Sequence, residues 1–320
     1  MQRRIALAAV LAAACTAVQA QAWPTKPITY VVPFGAGGTT DVVGRLVTSK
    51  AGPALGTTFV VMNRPGAGGA VGSAFVARAA PDGYTIQGGT ISSHAINYSL
   101  HANLPYHPLR DFQPITKIGS MPNILVVRAD SPFKTLQDVI AAAKNKPGSL
   151  NYASSGYGTS QQLSAVLFEQ KTGGRMVHVP FRSSAESLHA LLGRQGPDLI
   201  FENLAPALPH IKAGTLRALG VTSEKRSPVL PAMPAIAETL PGFSIESWQA
   251  IFAPAGTPQP VLEKLSAAMI NAVNHPDTRA KLLALGITPS GMPPEELRAF
   301  QKTEIEKWAA VVRAANIRLD

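Results

Sequence analysis

Cys15 is the only cysteine among 320 residues, so neither a disulfide framework nor paired-thiol chemistry is open to this chain. Aromatic residues make up 6% and charged residues 15%. The bases are scattered singly, with no dense Lys/Arg run carrying interleaved aromatics, which removes the usual nucleic-acid surface. Beyond the first residues no apolar run reaches the roughly 20 residues of a membrane span. There is no Gly-x-Ser-x-Gly elbow and no Gly-Lys-Ser/Thr phosphate loop. The histidines at 94, 101, 107, 178, 189, 210 and 275 form no i, i+4 pair and have no carboxylate at ligand spacing, so no metal is expected. No nucleophile stands beside an activating base. These absences exclude most enzyme classes and predict neither cofactor nor catalysis.

The N-terminus has the pattern of an export signal. Arg3 and Arg4 form a basic start, residues 5–14 an apolar stretch too short to span a bilayer, and Ala20-Gln21-Ala22 a small-residue cleavage site. Cys15 follows Ala12-Ala13-Ala14 without the leucine that a lipid-anchored cysteine has three positions upstream, so cleavage near Ala22 is favoured over a lipoprotein. The mature chain then has no cysteine and must rely on a large core. The formal net charge is +10, or +8 once Arg3 and Arg4 are removed, which favours small anions over acidic macromolecules as partners.

Strand-like runs at 28–32, 59–62, 124–127, 177–179, 199–201 and 216–221 alternate with helical patterns, which predicts an α/β fold of parallel sheets covered by helices. Two long amphipathic helices are expected at 261–273 and 295–315, the second with a core stripe of Leu297, Phe300, Ile305, Trp308 and Val312. They dock most simply on the first lobe. Residues 1–22 are then the signal peptide, 23–125 with 248–320 a discontinuous first lobe, and 126–247 a second.

Three strand-turn-helix junctions stand out. In the first, Pro33-Phe34-Gly35-Ala36-Gly37-Gly38 leads into Thr39, Thr40 and Asp41. In the second, Ser154-Ser155-Gly156-Tyr157-Gly158 leads into Thr159 and Ser160, and in the third Arg182-Ser183-Ser184 opens a helix. Each leaves unpaired backbone N–H groups at a helix start, where the helix dipole favours an anion. Converging, they make a cleft for a carboxylate, with Phe34, Gly37, Gly38, Thr39, Thr40, Ser155, Gly158, Thr159 and Ser160 as candidate contacts.

Other residues have two readings. Asp41 either accepts a bond from a ligand ammonium or orients its own turn. Arg182 either offers a bidentate fork to a second carboxylate or faces outward. Glu202 and Asn203 end a strand near the cleft. His178, inside an apolar strand, reads as structural. Gly66-Ala67-Gly68-Gly69-Ala70-Val71-Gly72 looks like a dinucleotide fingerprint, but its third glycine falls one place late and no acid follows to hold a ribose; a tight turn accounts for it better.

The segments 33–41, 63–69 (Asn-Arg-Pro-Gly-Ala-Gly-Gly), 81–85 (Pro-Asp-Gly-Tyr-Thr), Asp111-Phe112, 155–159 and 253–258 together resemble the substrate-binding proteins of tripartite tricarboxylate transporters, the Bug family, from about Trp23 onward. The resemblance implies a two-lobed type II periplasmic-binding-protein fold, a Venus flytrap. It implies a monomer that closes about a small carboxylate held by the turns at 34–41 and 154–160, and that serves the membrane subunits of such a transporter. A signalling receptor in place of the transporter is one alternative reading, and an α/β hydrolase or transferase is the other. This chain has Gln162, Arg182 and Glu202 where the family often has His, Lys and Asp.

Overall fold

The computed structural model describes residues 23–193 and 196–314; the expected signal peptide and Cys15 lie outside them. The chain begins with β1 (Ile28–Val32), α1 (Thr39–Leu55), β2 (Phe59–Asn63), α2 (Ala70–Ala77) and β3 (Thr85–Thr90). A π-helical turn, Ser92–Ile96, runs into the short α3 (Asn97–Leu100), and β4 (Phe112–Arg128) follows. The middle of the chain is α4 (Leu136–Asn145), β5 (Asn151–Ser154), α5 (Ser160–Thr172), β6 (Val177–Pro180), α6 (Ser184–Leu192), β7 (Leu199–Asn203), α7 (Leu204–Lys212) and β8 (Leu216–Val221). The remainder is β9 (Glu246–Pro254), α8 (Gln259–Asn274), α9 (Pro276–Ala284), β10 (Thr288–Met292) and α10 (Pro294–Ala314).

The strands pair in the order β2-β1-β3-β9-β4-β7-β5-β6, with β8 and β10 also on β4. The expected parallel pairing holds within β2-β1-β3 and within β6-β5-β7. The centre departs from it: β9 runs antiparallel to both β3 and β4, and β4 antiparallel to β7, β8 and β10. The partners of β4 change within one strand. Residues up to Pro122 pair with β9, and Asn123 onward pair with β7.

Side-chain alternation gives each half two cores. In β1, Ile28, Tyr30 and Val32 enter a cluster with α1 and α8, while Val31 enters another with Trp248 and α10. In the second half of β4, Leu125 and Val127 point to one cluster and Ile124 and Val126 to the other, as period-two strands buried on both faces must. The α10 stripe is buried at Leu297, Ile305, Trp308 and Val312 and half-buried at Phe300. Its Glu304 accepts hydrogen bonds from Trp248 Nε1 (2.9 Å) and Trp308 Nε1 (3.1 Å), tying the helix to β9. No described helix is long and apolar enough to cross a membrane.

Candidate functional site

The three helix N-termini meet at one cavity between the two halves of the molecule. Its walls are Phe34, Gly35, Gly38, Thr39 and Thr40 from the first turn, Thr90 and Ser92 after β3, and Ser247 and Gln249 on β9. Facing them are Ser155, Ser160 and Gln161 from the second turn, Ser183 and Ser184 from the third, and Asn203 at the end of β7. The enclosed space is about 30 Å³, room for little more than a water. No Lys, Arg, His, Asp or Glu lines it. An anion here meets hydroxyls, amides and the positive ends of helices rather than a fixed cation.

At the first turn Gly38 is the N-cap of α1, in extended conformation and with no side-chain cap. Thr39 and Thr40 are thus first-turn helical residues. Thr40 Oγ1 donates to Gln249 Oε1 (2.9 Å), and the register of the β3–β9 ladder sets Thr90 opposite Gln249. A Cβ on Gly38 would lie 3.4 Å from Gly35 O, tight but tolerable, whereas one on Gly35 would lie 2.7 Å from Ser183 Cβ across the cleft. Gly35, not Gly38, is where the first turn approaches the opposite wall.

Asp41 is buried and holds the turn together. Its carboxylate accepts from Gly37 N (3.0 Å), Asn63 Nδ2 (3.1 Å) and Arg45 Nε (3.1 Å), with Arg45 also in ion-pair contact at 3.0 Å. Burial alone would raise its pKa; the bonds from Arg45, Gly37 and Asn63 outweigh that and hold it below the usual range. Asp41 does not line the cavity, which favours the turn-orienting reading. Asp41→Asn should therefore cost about 1–2 kcal/mol of stability while leaving the ranking of ligands unchanged. The Asp41 contribution is present above the unfolded carboxyl pKa and lost as pH falls through its depressed folded value, so wild type and variant should converge in acid. Thermal melts from neutral to acid pH measure both effects; no destabilisation, or a reversed ranking, would return Asp41 to ligand recognition.

At the second turn Thr159 caps α5, accepting from Gln162 N (3.4 Å) and donating to Gly156 O (2.7 Å), and Gln162 Oε1 accepts from Gly158 N (2.7 Å). Gly158 and Thr159 shape the turn, and Ser155 and Ser160 present the hydroxyls. At the third turn Ser183 caps α6 by accepting from Glu186 N. Arg182 is exposed and stands on an adjoining outer cavity, not on the inner one.

Glu202 lies behind the wall, fully buried. Its Oε1 accepts from Asn203 N (2.7 Å), Ser184 Oγ (2.9 Å) and Gln161 Nε2 (3.0 Å), and its Oε2 from Ser187 Oγ (3.3 Å). Burial pushes its pKa up against the downward pull of these donors. Asn203 Nδ2 reaches across to Thr39 Oγ1 (3.2 Å), and Asn203 Oδ1 has no partner. His178 is structural, as expected. It bonds Ser154 Oγ through Nε2 (2.6 Å), stacks on Tyr152, and is kept neutral by burial with a pKa lowered to about 4. Among the described residues no group of three or more His, Cys, Asp or Glu is placed to hold a metal.

Of the candidate residues, Phe34, Gly38, Thr39, Thr40, Ser155, Ser160 and Asn203 line the cavity; Gly37, Asp41, Gly158, Thr159 and Glu202 support it from behind. Missing from the candidates were Gly35, Thr90, Ser92, Gln161, Ser183, Ser184, Ser247 and Gln249. Ser183 and Ser184 were readable, as the cap of the third helix. Gln249 gives itself away only as a glutamine inside an apolar strand.

Known proteins match this chain in sequence and fold. BugT of Bordetella pertussis is 35% identical over 94% of this chain and 93% of its own. A Rhodopseudomonas palustris protein solved with adipate superposes with a TM-score of 0.89 at 35% identity, covering 92% of this chain and 99% of that one. MatC from Rhodopseudomonas palustris, solved with bound malate, gives 0.86 at 34% identity, covering 91% and 100%. The profile of the tripartite tricarboxylate transporter family receptor, TctC, matches residues 43–317, and with it the two-lobed periplasmic-binding-protein fold is assigned. The chain belongs to the tripartite tricarboxylate transporter receptor family.

Proposed function

We propose that this chain is an exported, monomeric solute-binding protein that closes around a small organic carboxylate and delivers it to the membrane subunits of a tripartite tricarboxylate transporter. The observation that carries this reading is the uncharged cavity at which helix N-termini from both halves converge. Such a seat stabilises a carboxylate with preorganised donors and offers no group for covalent chemistry. Relatives solved with adipate and malate support the ligand class. The signal-like residues 1–22 support export.

The hinge falls where β4 changes partners, between Pro122 and Asn123, and where the chain returns between Ile245, bonded to Thr222, and Glu246, paired with Pro122. These points lie a few residues ahead of 126 and 248. Contacts across the cleft exist only when it is shut, so ligand binding shifts the hinge equilibrium and closure is what a membrane partner reads. A carboxylate at about 100 times its Kd should raise the melting temperature by roughly 5 °C and lower the radius of gyration in small-angle scattering. A carboxylate panel producing neither change would sink the proposal.

The site also predicts a preference. A buried ligand ammonium needs an anionic acceptor, and no carboxylate lines the seat: Asp41 is spent on Arg45, Asn63 and Gly37, and Glu202 on its four donors. Asn203 Oδ1 remains as a neutral acceptor suited to a hydroxyl. Calorimetry should give malate at least about tenfold tighter binding than aspartate, its ammonium counterpart. Equal affinities would refute the preference.

A further inference from the structure

We propose that the ligand is an aryl carboxylate, its ring lodged in the mouth of the cleft outside the polar seat; this rests on the carboxylate reading above. The seat holds about 30 Å³, whereas a second cavity of about 600 Å³ adjoins it, sharing Phe34 and Ser155 as common walls. The larger space must take whatever the carboxylate is attached to. Its walls are unlike those of the seat. Phe34, Tyr157 and Phe181 come from three different turns and meet there with Pro65 and Pro180.

One side is bare backbone. Gly66, Gly68 and Gly69 all have positive φ (138°, 58° and 93°) and present no side chain, and the Phe34 ring packs so closely on Gly69 that a Cβ there would lie 3.2 Å from its Cζ. Glycine is required at such angles, and the missing side chains let Val71, the Tyr157 carbonyl and the Phe34 ring close on this backbone. Tyr157 on the other side is 46% exposed, and Tyr98 is the one other aromatic side chain exposed to a similar degree among the described residues. The Tyr157 ring is held edge-to-face on His178 at 4.8 Å, so it is oriented without being covered. A planar apolar body gains most from such a mouth, because ring–ring contact adds to the area buried, while a flexible aliphatic chain must lose rotamer freedom to lie flat. Arg182 stands at the rim, where its cation suits a ring face or a polar substituent at the far end.

Titration calorimetry on the full mature chain with benzoate, 2-naphthoate, adipate and malate tests this. The aryl acids should bind about tenfold or more tighter than the aliphatic pair. Tyr157→Ala should weaken aryl binding about tenfold and aliphatic binding less than about twofold, and Tyr157→Phe should restore it; melting curves establish that each variant is folded. If adipate or malate binds as tightly as the aryl acids, or if Tyr157→Ala weakens both sets equally, the aryl proposal is overturned while carboxylate capture stands. If no carboxylate in either set binds, both fall.

Discussion

Replacing Gly158 with alanine should hold the cleft open and weaken carboxylate binding by roughly tenfold to a hundredfold. Gly158 has φ +73° and faces Asn97, on the opposite side of the cleft, so closely that a Cβ would overlap Asn97 Oδ1 and lie 3.3 Å from Leu100 Cδ1. Asn97 has little freedom to withdraw, because its Nδ2 donates to Gly68 O (3.1 Å) and it is fully buried. Gly68 repeats the arrangement from the other side, since a Cβ there would overlap Tyr157 O. Left-handed backbone costs alanine about 1 kcal/mol in the open and closed forms alike. The overlap, about 1–3 kcal/mol by comparison with overpacked cores, falls on the closed form alone and therefore on affinity. Gly148 separates the two effects. Its φ is +78° and a Cβ there meets nothing within 4 Å, so Gly148→Ala should lower stability slightly and leave binding alone. Scattering and calorimetry on both variants decide it; a Gly158→Ala protein that contracts on ligand like wild type, with affinity within about threefold, would show that the cleft does not close through this contact.

The same turn shows what could be read in advance. Strand, glycine turn and capped helix are local patterns, so the segments 28–32 and 216–221 matched their strands, and the helix starts at 39, 160 and 184 fell where the serines, threonines and glycines predicted. What the turns do across the cleft depends on partners a hundred or more residues away. β4 was visible only as 124–127, because Pro114, Thr116, Lys117, Gly119, Ser120 and Pro122 break the apolar run over its first part. These residues are tolerated there because β9 supplies a long antiparallel ladder, with register shifts between Pro114 and Thr116 and between Lys117 and Gly119. Gln249 and Ser247 lie on β9, and nothing in their neighbourhood ties them to the first turn. Asp41 was open to two readings in the sequence: an acid at the edge of an anion site attracts a ligand role, yet Arg45, one helical turn on, is placed to neutralise it.

Glu202 carries the second large effect. It is a fully buried carboxylate balanced by neutral donors, and two of these donors, Gln161 and Ser184, also line the ligand cavity. By fixing which of their atoms turn inward, Glu202 sets which turn toward the ligand, so it positions the site without touching it. Glu202→Ala removes the common acceptor of four groups and opens a void. With unsatisfied buried donors costing about 1–3 kcal/mol each and partial rearrangement of the serine hydroxyls, a loss of about 3 kcal/mol or more of stability is expected. Glu202→Gln preserves the volume, and its amide oxygen at the Oε1 position can still accept from Asn203 N, Ser184 Oγ and Gln161 Nε2; its N–H₂ then faces Ser187 Oγ, which can accept because its own hydroxyl has Ser184 O to donate to. Ser184 and Gln161 then keep their orientation, so this variant should cost about 1 kcal/mol or less of stability and leave affinity within about threefold. The two variants together are informative, because glutamine keeps the acceptor and removes the charge, whereas alanine removes both. Denaturant melts together with calorimetry on the folded fraction measure both losses, and a Glu202→Ala protein whose folded fraction binds with wild-type affinity would reduce Glu202 to a space-filling residue and leave the orientation of Gln161 and Ser184 to the turns alone.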